Sequence, residues 1–144
     1  MRVEVTSVPF DPWAVVGDHQ AAQLTGGSYG ATAVFIGTMR DFNAGDTVRA
    51  MTLEHYPGMT ERYLERISRS AAERWDILDS LIVHRVGVLR PDDPIVLTAV
   101  WSAHRAAAFD ACRYLMEELK SRAPFWKKEA LDGGGRWVQA NTPG

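Results

Sequence analysis

Residues 80–101 read SLIVHRVGVLRPDDPIVLTAVW, and this stretch predicts two β-strands joined by a tight turn. Most positions in 80–88 and 94–101 are apolar or β-branched, as is typical of strands that face a core. The proline and aspartates of Arg90-Pro91-Asp92-Asp93 are turn-forming residues. Buried strand is therefore expected on both sides of this turn.

A long helix is predicted directly after the second of these strands. Ser102 is a residue type that caps helices, and Pro124 cannot continue one, so the helix is expected to lie between them. Its apolar residues recur at spacings of three and four, which predicts one buried stripe. The members of the predicted stripe are Phe109, Cys112, Leu115, Met116 and Leu119.

The rest of the chain adds more strands and two further helices. Asp11-Pro12 opens a short helix that runs toward Leu24, and an amphipathic helix is predicted from Met59 to Trp75. Residues 40–47 read as a polar loop. The further predicted strands cover residues 2–6, 31–37, 48–56, 126–131 and 136–140, the last two as a hairpin. The fold class is therefore α+β, and 144 residues favour a single domain, 1–144.

Composition excludes several classes of protein. The chain is 46% hydrophobic and 24% charged with a net charge of −2, which is typical of a globular protein and argues against an RNA-binding domain. Cys112 is the single cysteine, so a disulfide framework and a cysteine-based zinc site are excluded. The first ten residues do not resemble a signal peptide, and no apolar run could span a membrane. A cytoplasmic protein is expected.

Basic residues at the ends of elements are the candidates for function. Arg40 follows the strand 31–37, and His104 with Arg105 falls in the first turn of the long helix. Cations are disfavoured there, so the pair indicates an anion site or else two tolerated exposed residues. Lys120 in the last turn could simply meet the helix dipole. Lys127 and Lys128 are adjacent on a predicted strand, so at most one of them shares a pocket with Lys120.

The remaining histidines and the cysteine are interpreted as structural. His55 and His84 fall within strands, and His19 is placed on a polar helix face. The four histidines show no metal-ligand spacing, so no metal is expected. Cys112 lies in the apolar stripe of the long helix, where a persulfide route is badly placed.

Several segments resemble the large-subunit family of molybdopterin synthases. They are FIGTMR at 35–40, LEHYPGMTE at 53–61, HRVG at 84–87, SAHR at 102–105 and LKSRAPFWKKE at 119–129. They occur in the order that the family has them, and the resemblance covers roughly residues 30 to 138. The second and last strings are long and unusual, which makes the match specific.

The resemblance implies a fold, a reaction and partners. The fold would be an α/β hammerhead-like domain with an additional antiparallel β-sheet. The enzyme would be a sulfurtransferase of molybdenum cofactor biosynthesis that converts cyclic pyranopterin monophosphate into the dithiolene molybdopterin, without a metal or other cofactor. The sulfur would come from a small ubiquitin-like carrier subunit whose C-terminal Gly-Gly ends in a thiocarboxylate. A homodimer of large subunits with two carriers would form a heterotetramer.

The resemblance also assigns roles to residues. Lys120 and Lys127 would be catalytic, and the substrate would be bound by a larger set, comprising Thr38, Met39, Arg40, His104, Arg105, Lys128 and Glu129. Asn141 stands where relatives can carry arginine, which leaves open whether a basic residue there serves the pocket.

These roles conflict with helix geometry unless two subunits build the site. His104 and Lys120 are sixteen residues apart, which corresponds to about 24 Å along a continuous helix. We therefore expect a pocket across the dimer interface, with His104 and Arg105 of one subunit facing Arg40, Lys120 and Lys127 of the other. The alternative to an enzyme is a non-catalytic dimeric anion-binding module that docks a ubiquitin-like partner and does not require both lysines.

Overall fold

A computed structural model describes the backbone of residues 1–43, 46–131 and 134–138, and the side chains of residues 1–41 and 49–127. Within these residues the chain forms three helices and nine strands, in mixed order. The helices are α1 Pro12–Gln23, α2 Met59–Arg74 and α3 Arg105–Arg122. The strands are β1 Arg2–Thr6, β2 Ala31–Thr38, β3 Phe42–Asn43, β4 Asp46–His55, β5 Asp79–Arg85, β6 Gly87–Leu89, β7 Pro94–Ser102, β8 Phe125–Leu131 and β9 Gly134–Val138. The predicted α+β class is confirmed.

The first sheet has the strand order β1-β5-β7-β2 and forms the centre of the molecule. β1 runs parallel to β5, whereas β5, β7 and β2 are antiparallel neighbours. Helices α2 and α3 pack on one face, where Leu64 and Leu115 meet Ile82 and Val100. Helix α1 packs on the other face, against a cluster that includes the fully buried Trp101. Burial on both faces explains the continuous apolar runs in β5 and β7.

The second sheet is the additional antiparallel sheet that was expected. Its order is β3-β4-β8-β9, and β6 also pairs with β4. The predicted final hairpin is confirmed in β8 and β9, which pair from Lys127↔Val138 to Leu131↔Gly134; residues 132–133 and 139–140 lie outside the described residues. The predicted polar loop at 40–47 is wrong in part, because β3 and the start of β4 pair within it.

The single strand predicted for residues 80–88 is two strands in two sheets. β5 ends at Arg85, and β6 begins at Gly87 and pairs with β4. Gly87 has φ 89°, a left-handed conformation that most side chains avoid. The chain therefore turns out of the first sheet here, although the apolar run continues through the break.

Helix α3 differs from its prediction at two positions. Its N-cap is His104 rather than Ser102, whose hydroxyl instead donates to the Asp76 carbonyl at 2.8 Å and accepts from the His104 amide at 3.3 Å. Phe109 is 66% exposed, because the buried stripe runs through Ala108 and Ala111 instead. The end of the helix before Pro124 is confirmed.

His19 does not lie on a polar surface as predicted. It is buried on α1, its Nε2 lies 2.8 Å from the Asp79 carboxylate, and its ring centroid is 5.2 Å from that of Trp101. The contact ties α1 to the first residue of β5. Among the helices described, none is long and apolar enough to cross a membrane.

Candidate active site

The predicted site residues fall into two groups at opposite ends of α3. The helix is continuous from Arg105 to Arg122, so Arg105 and Lys120 are separated by fifteen residues of unbroken helix. At 1.5 Å per residue, this places their Cα atoms about 22 Å apart along the axis. His104 and Arg105 are both exposed at the first end. They cannot share a small pocket with Lys120 of the same chain.

Arg40 belongs to the group at the Lys120 end. In the antiparallel pair β2 and β7, Ala31 is opposite Ser102 and Thr38 is opposite Pro94. Because α3 starts just after Ser102 and packs back over β7 and β2, its last turn approaches the Thr38 end of β2. Arg40 follows two residues after Thr38, and both are exposed. Arg40 therefore lies at the same end of the first sheet as Lys120.

Met39 occupies a different environment from its two neighbours. It is 5% exposed and packs with the buried residues Met51, Leu53 and Leu89. Its amide donates to the Asp93 carbonyl at 3.0 Å, and its own carbonyl accepts from the Asp92 amide at 2.9 Å. Met39 thus anchors the segment that carries Thr38 and Arg40, with its side chain inside the core.

Lys120 and Lys127 form the centre of the candidate site. Lys120 is half-buried in the last turn of α3, and Lys127 lies on β8 opposite Leu53. Burial, and then the positive charge of Lys127, hold the pKa of Lys120 below its ordinary value. Two neighbouring ammonium groups repel each other, and each disfavours the charged form of the other. Such a pair is suited to binding an anion and to releasing a proton.

His84 lies near enough to Lys120 to feel its charge, although the sequence indicated only a structural role. Its ring stacks on that of Phe125, with centroids 3.9 Å apart and planes 17° apart. Burial lowers the pKa of His84 to about 4; the hydrogen bond to the Arg85 carbonyl opposes this, and the charges of Lys120 and His55 add to the lowering. The His84 imidazole is therefore neutral at neutral pH.

The buried neutral His84 should make stability depend on pH. A free histidine takes up a proton near pH 6.5, whereas His84 resists protonation until about pH 4 in the folded chain. The unfolded chain therefore binds more protons than the folded chain between these two pH values. The contribution of His84 to the free energy of unfolding is fully present above pH 6.5 and is lost as the pH falls toward 4. The loss should reach about 3 kcal/mol.

Urea unfolding at several pH values measures this dependence. His84→Phe keeps an aromatic ring but cannot titrate, so the difference between wild type and variant isolates the contribution of His84. An identical pH dependence in both proteins would contradict the assignment.

Two predicted site residues, and the position at which a role for a basic residue was left open, cannot be placed in the site. Lys128 and Glu129 belong to the backbone of β8, opposite Thr52 and Met51, but their side chains lie outside the described residues. Asn141 also lies outside them. Phe125 was not among the predicted site residues. Its position two residues before Lys127 could have indicated it, because alternate residues of a strand lie on the same face.

Comparison with known proteins identifies a family and close relatives. Residues 5–122 match the family model described as MoaE protein. The chain is 51% identical over 140 residues to a molybdopterin synthase catalytic subunit from Ralstonia nicotianae, which covers 97% of this chain and 78% of that protein. A molybdopterin biosynthesis MoaE protein from Burkholderia ambifaria superposes with a TM-score of 0.81 at 45% identity, covering 99% of this chain and 92% of the other. A molybdopterin synthase from Staphylococcus aureus gives 0.83 at 32% identity, covering 94% and 95%.

Proposed function

Because this chain belongs to the MoaE protein family, we propose that it acts as the catalytic subunit of a molybdopterin synthase in molybdenum cofactor biosynthesis. Its reaction is sulfur transfer from the thiocarboxylate of a small ubiquitin-like carrier to cyclic pyranopterin monophosphate. The observation that carries the proposal is the pair of lysines, in which burial, and then the charge of Lys127, lower the pKa of Lys120.

The lysines suit the charges that arise during this transfer. The thiocarboxylate and the phosphate of the substrate are anions, and acyl transfer develops an oxyanion that nearby cations stabilise. For each sulfur that the pterin gains, one carrier loses the sulfur of its thiocarboxylate. Water supplies the oxygen that replaces this sulfur, so the carrier then ends in a carboxylate. A lysine whose pKa is lowered can also move protons in these steps. No cofactor is required by this scheme.

Substrate binding requires residues from both ends of α3. Arg40, with Thr38 beside it, is proposed to hold the phosphate near Lys120 and Lys127. His104 and Arg105 contribute from the second subunit of a homodimer, because the continuous α3 separates them from Lys120 within one chain. Two-fold symmetry then gives two sites, each served by one carrier in a heterotetramer. The chain is proposed to act as one unit, 1–144, in the cytoplasm.

A strain that lacks its own large subunit tests this function in cells. Expression of this chain should restore the activity of molybdenum-dependent enzymes, whereas the Lys120→Ala,Lys127→Ala double variant should not. If both proteins restore it equally, the chain supplies only docking, and the anion-binding module is the better description. If neither restores it while a relative's subunit does, the proposed function is wrong.

Cys112 offers a test of the route that sulfur takes. Its thiol is buried and contacts Thr98 Oγ1 at 3.3 Å, and burial raises its pKa, so the nucleophilic thiolate is disfavoured. Cys112→Ala should keep its turnover and lose roughly 1 kcal/mol of stability, as expected for a small buried truncation. Turnover and urea unfolding check both parts. A variant that folds normally yet transfers no sulfur would require a persulfide mechanism.

A further inference from the structure

The short connection between α3 and β8 separates the two lysines. Lys120 lies two residues before the end of α3, and Lys127 is the third residue of β8. Between them, Ala123 and Pro124 turn the chain, and the Phe125 amide donates to the Ala123 carbonyl at 2.8 Å. The position of Lys127 relative to Lys120 therefore depends on how this turn and Phe125 are held.

Phe125 is held by contacts from two strands and, through the turn, from α2. The Phe125 ring stacks on His84 of β5, with ring centroids 3.9 Å apart. The His55 ring of β4 has its centroid 6.5 Å from that of Phe125, and His55 is the residue opposite Phe125 in the pairing of β4 with β8. The Thr60 hydroxyl of α2 donates to the Pro124 carbonyl at 3.1 Å. Because side chains alternate along a strand, Phe125 and Lys127 share one face of β8. The contacts of Phe125 and Pro124 therefore hold the start of β8, the strand that carries Lys127.

His84 is itself fixed in orientation and in charge. Its Nδ1 lies 2.8 Å from the Arg85 carbonyl, which can only accept, so Nδ1 carries the proton. The ring is 5% exposed. Among the residues whose side chains are described, the charged or titratable groups that act on His84 are Lys120 from α3 and His55 from β4, with the Glu61 carboxylate of α2 4.0 Å from His55 Nε2. A neutral, buried ring adds no charge near Lys120, whose own pKa is lowered first by burial.

We propose that His84 is a positioning residue for the reaction, whose ring, stacked on Phe125, sets Lys127 relative to Lys120 and keeps water from Lys120. This inference rests on the proposed function for the importance of the two lysines. It assigns a role to a buried side chain that contacts neither the substrate nor the carrier in the proposed scheme. Its loss should therefore lower kcat and leave binding largely unchanged.

Two variants remove the stacked pair from either side. His84→Gln keeps a polar side chain but loses the ring, and Phe125→Leu keeps an apolar one. Each should lower kcat about 10- to 100-fold, the scale expected for a displacement of about 1 Å at a reacting group. The KM for the pterin and the Kd for the carrier should stay within about twofold, because binding groups are untouched. His84→Phe retains a ring for stacking and should exceed His84→Gln in kcat at least fivefold, on the same scale.

A second readout reports on Lys120 without any substrate. The rate of Lys120 acylation by acetic anhydride, followed by mass spectrometry across pH, gives the midpoint at which its amine loses a proton. In His84→Gln, entry of water should raise this midpoint toward that of an ordinary lysine. His84→Phe should leave it unchanged. This measurement distinguishes failure of the positioning role from failure of the proposed function, because it needs no turnover.

Ile82→Val is the matched control for a purely structural effect. Ile82 is fully buried on the same strand and the same face as His84, two residues earlier. The control should lower the melting temperature but leave kcat and the Lys120 midpoint unchanged. The inference is overturned if His84→Gln keeps the wild-type kcat and Lys120 midpoint. It is also overturned if Ile82→Val, at the same loss of stability as His84→Gln, changes kcat and the midpoint by as much as His84→Gln does. If His84→Gln does not fold, Phe125→Leu decides by the same two measurements.

Discussion

Lys127→Ala is expected to lose nearly all product formation while the protein stays folded and still binds its carrier. Burial, and then the ammonium of Lys127, lower the pKa of Lys120, so removal of Lys127 takes one cation from the site and also removes the smaller of these two effects on Lys120. Removal of one group that stabilises a developing oxyanion costs about 100- to 1000-fold in turnover. Lys120→Ala should also be strongly impaired.

Single-turnover assays with a thiocarboxylated carrier measure the effect, and circular dichroism with carrier titration confirms folding and binding. Arg113→Ala is the matched control, because Arg113 is an exposed cation on α3 whose side chain is 81% exposed and pairs with Glu117. It should behave as wild type. Near wild-type turnover in Lys127→Ala would defeat the catalytic assignment and favour a docking module.

Mixed dimers should recover activity that neither parent variant shows. Arg105→Ala and Lys127→Ala damage opposite ends of α3, which the continuous helix keeps about 22 Å apart in one chain. If each site takes Arg105 from one subunit and Lys127 from the other, a mixed dimer has one site with both residues and one with neither. Such a dimer should regain up to about half of the wild-type activity.

The design requires that subunits exchange, which differently tagged variants establish by co-purification. Arg105→Ala mixed with a tagged Arg105→Ala is the control, because every site in that mixture is damaged. Recovery in the mixed dimer and none in the control supports a shared site. If subunits demonstrably exchange and no activity returns, the pocket is built within one chain, and the role given to Arg105 is wrong.

Local signals predicted the helices well because they act over a few residues. Asp11 caps α1 at its predicted start, with its carboxylate 3.0 Å from the Trp13 amide, and Pro12 is the first helical residue. The amphipathic spacing likewise predicted α2, which runs from Met59 to Arg74. These helices depend on capping and on the periodicity of apolar residues, and both can be recognised from residues that are close together in the sequence.

The errors arose where neighbours distant in sequence decide the outcome. β5 ends at Arg85 and β6 pairs in a second sheet from Gly87 on; the lone glycine is a weak local signal of this break, because the apolar run continues on both sides of it. Phe109 has the spacing of the buried stripe but falls just outside the face that meets β2 and β7. For His84, the sequence indicated a buried strand, but its contact with Phe125 joins residues forty-one positions apart.

Reconstitution of the reaction from purified components tests whether this chain catalyses sulfur transfer to the pterin. The purified chain is incubated with a thiocarboxylated carrier and cyclic pyranopterin monophosphate, and the dithiolene product is measured alongside a subunit from a known synthase. We expect molybdopterin formation that consumes two carriers for each pterin, since two sulfurs are transferred. Binding of carrier and pterin without any dithiolene, under conditions in which the known subunit turns over, would contradict it.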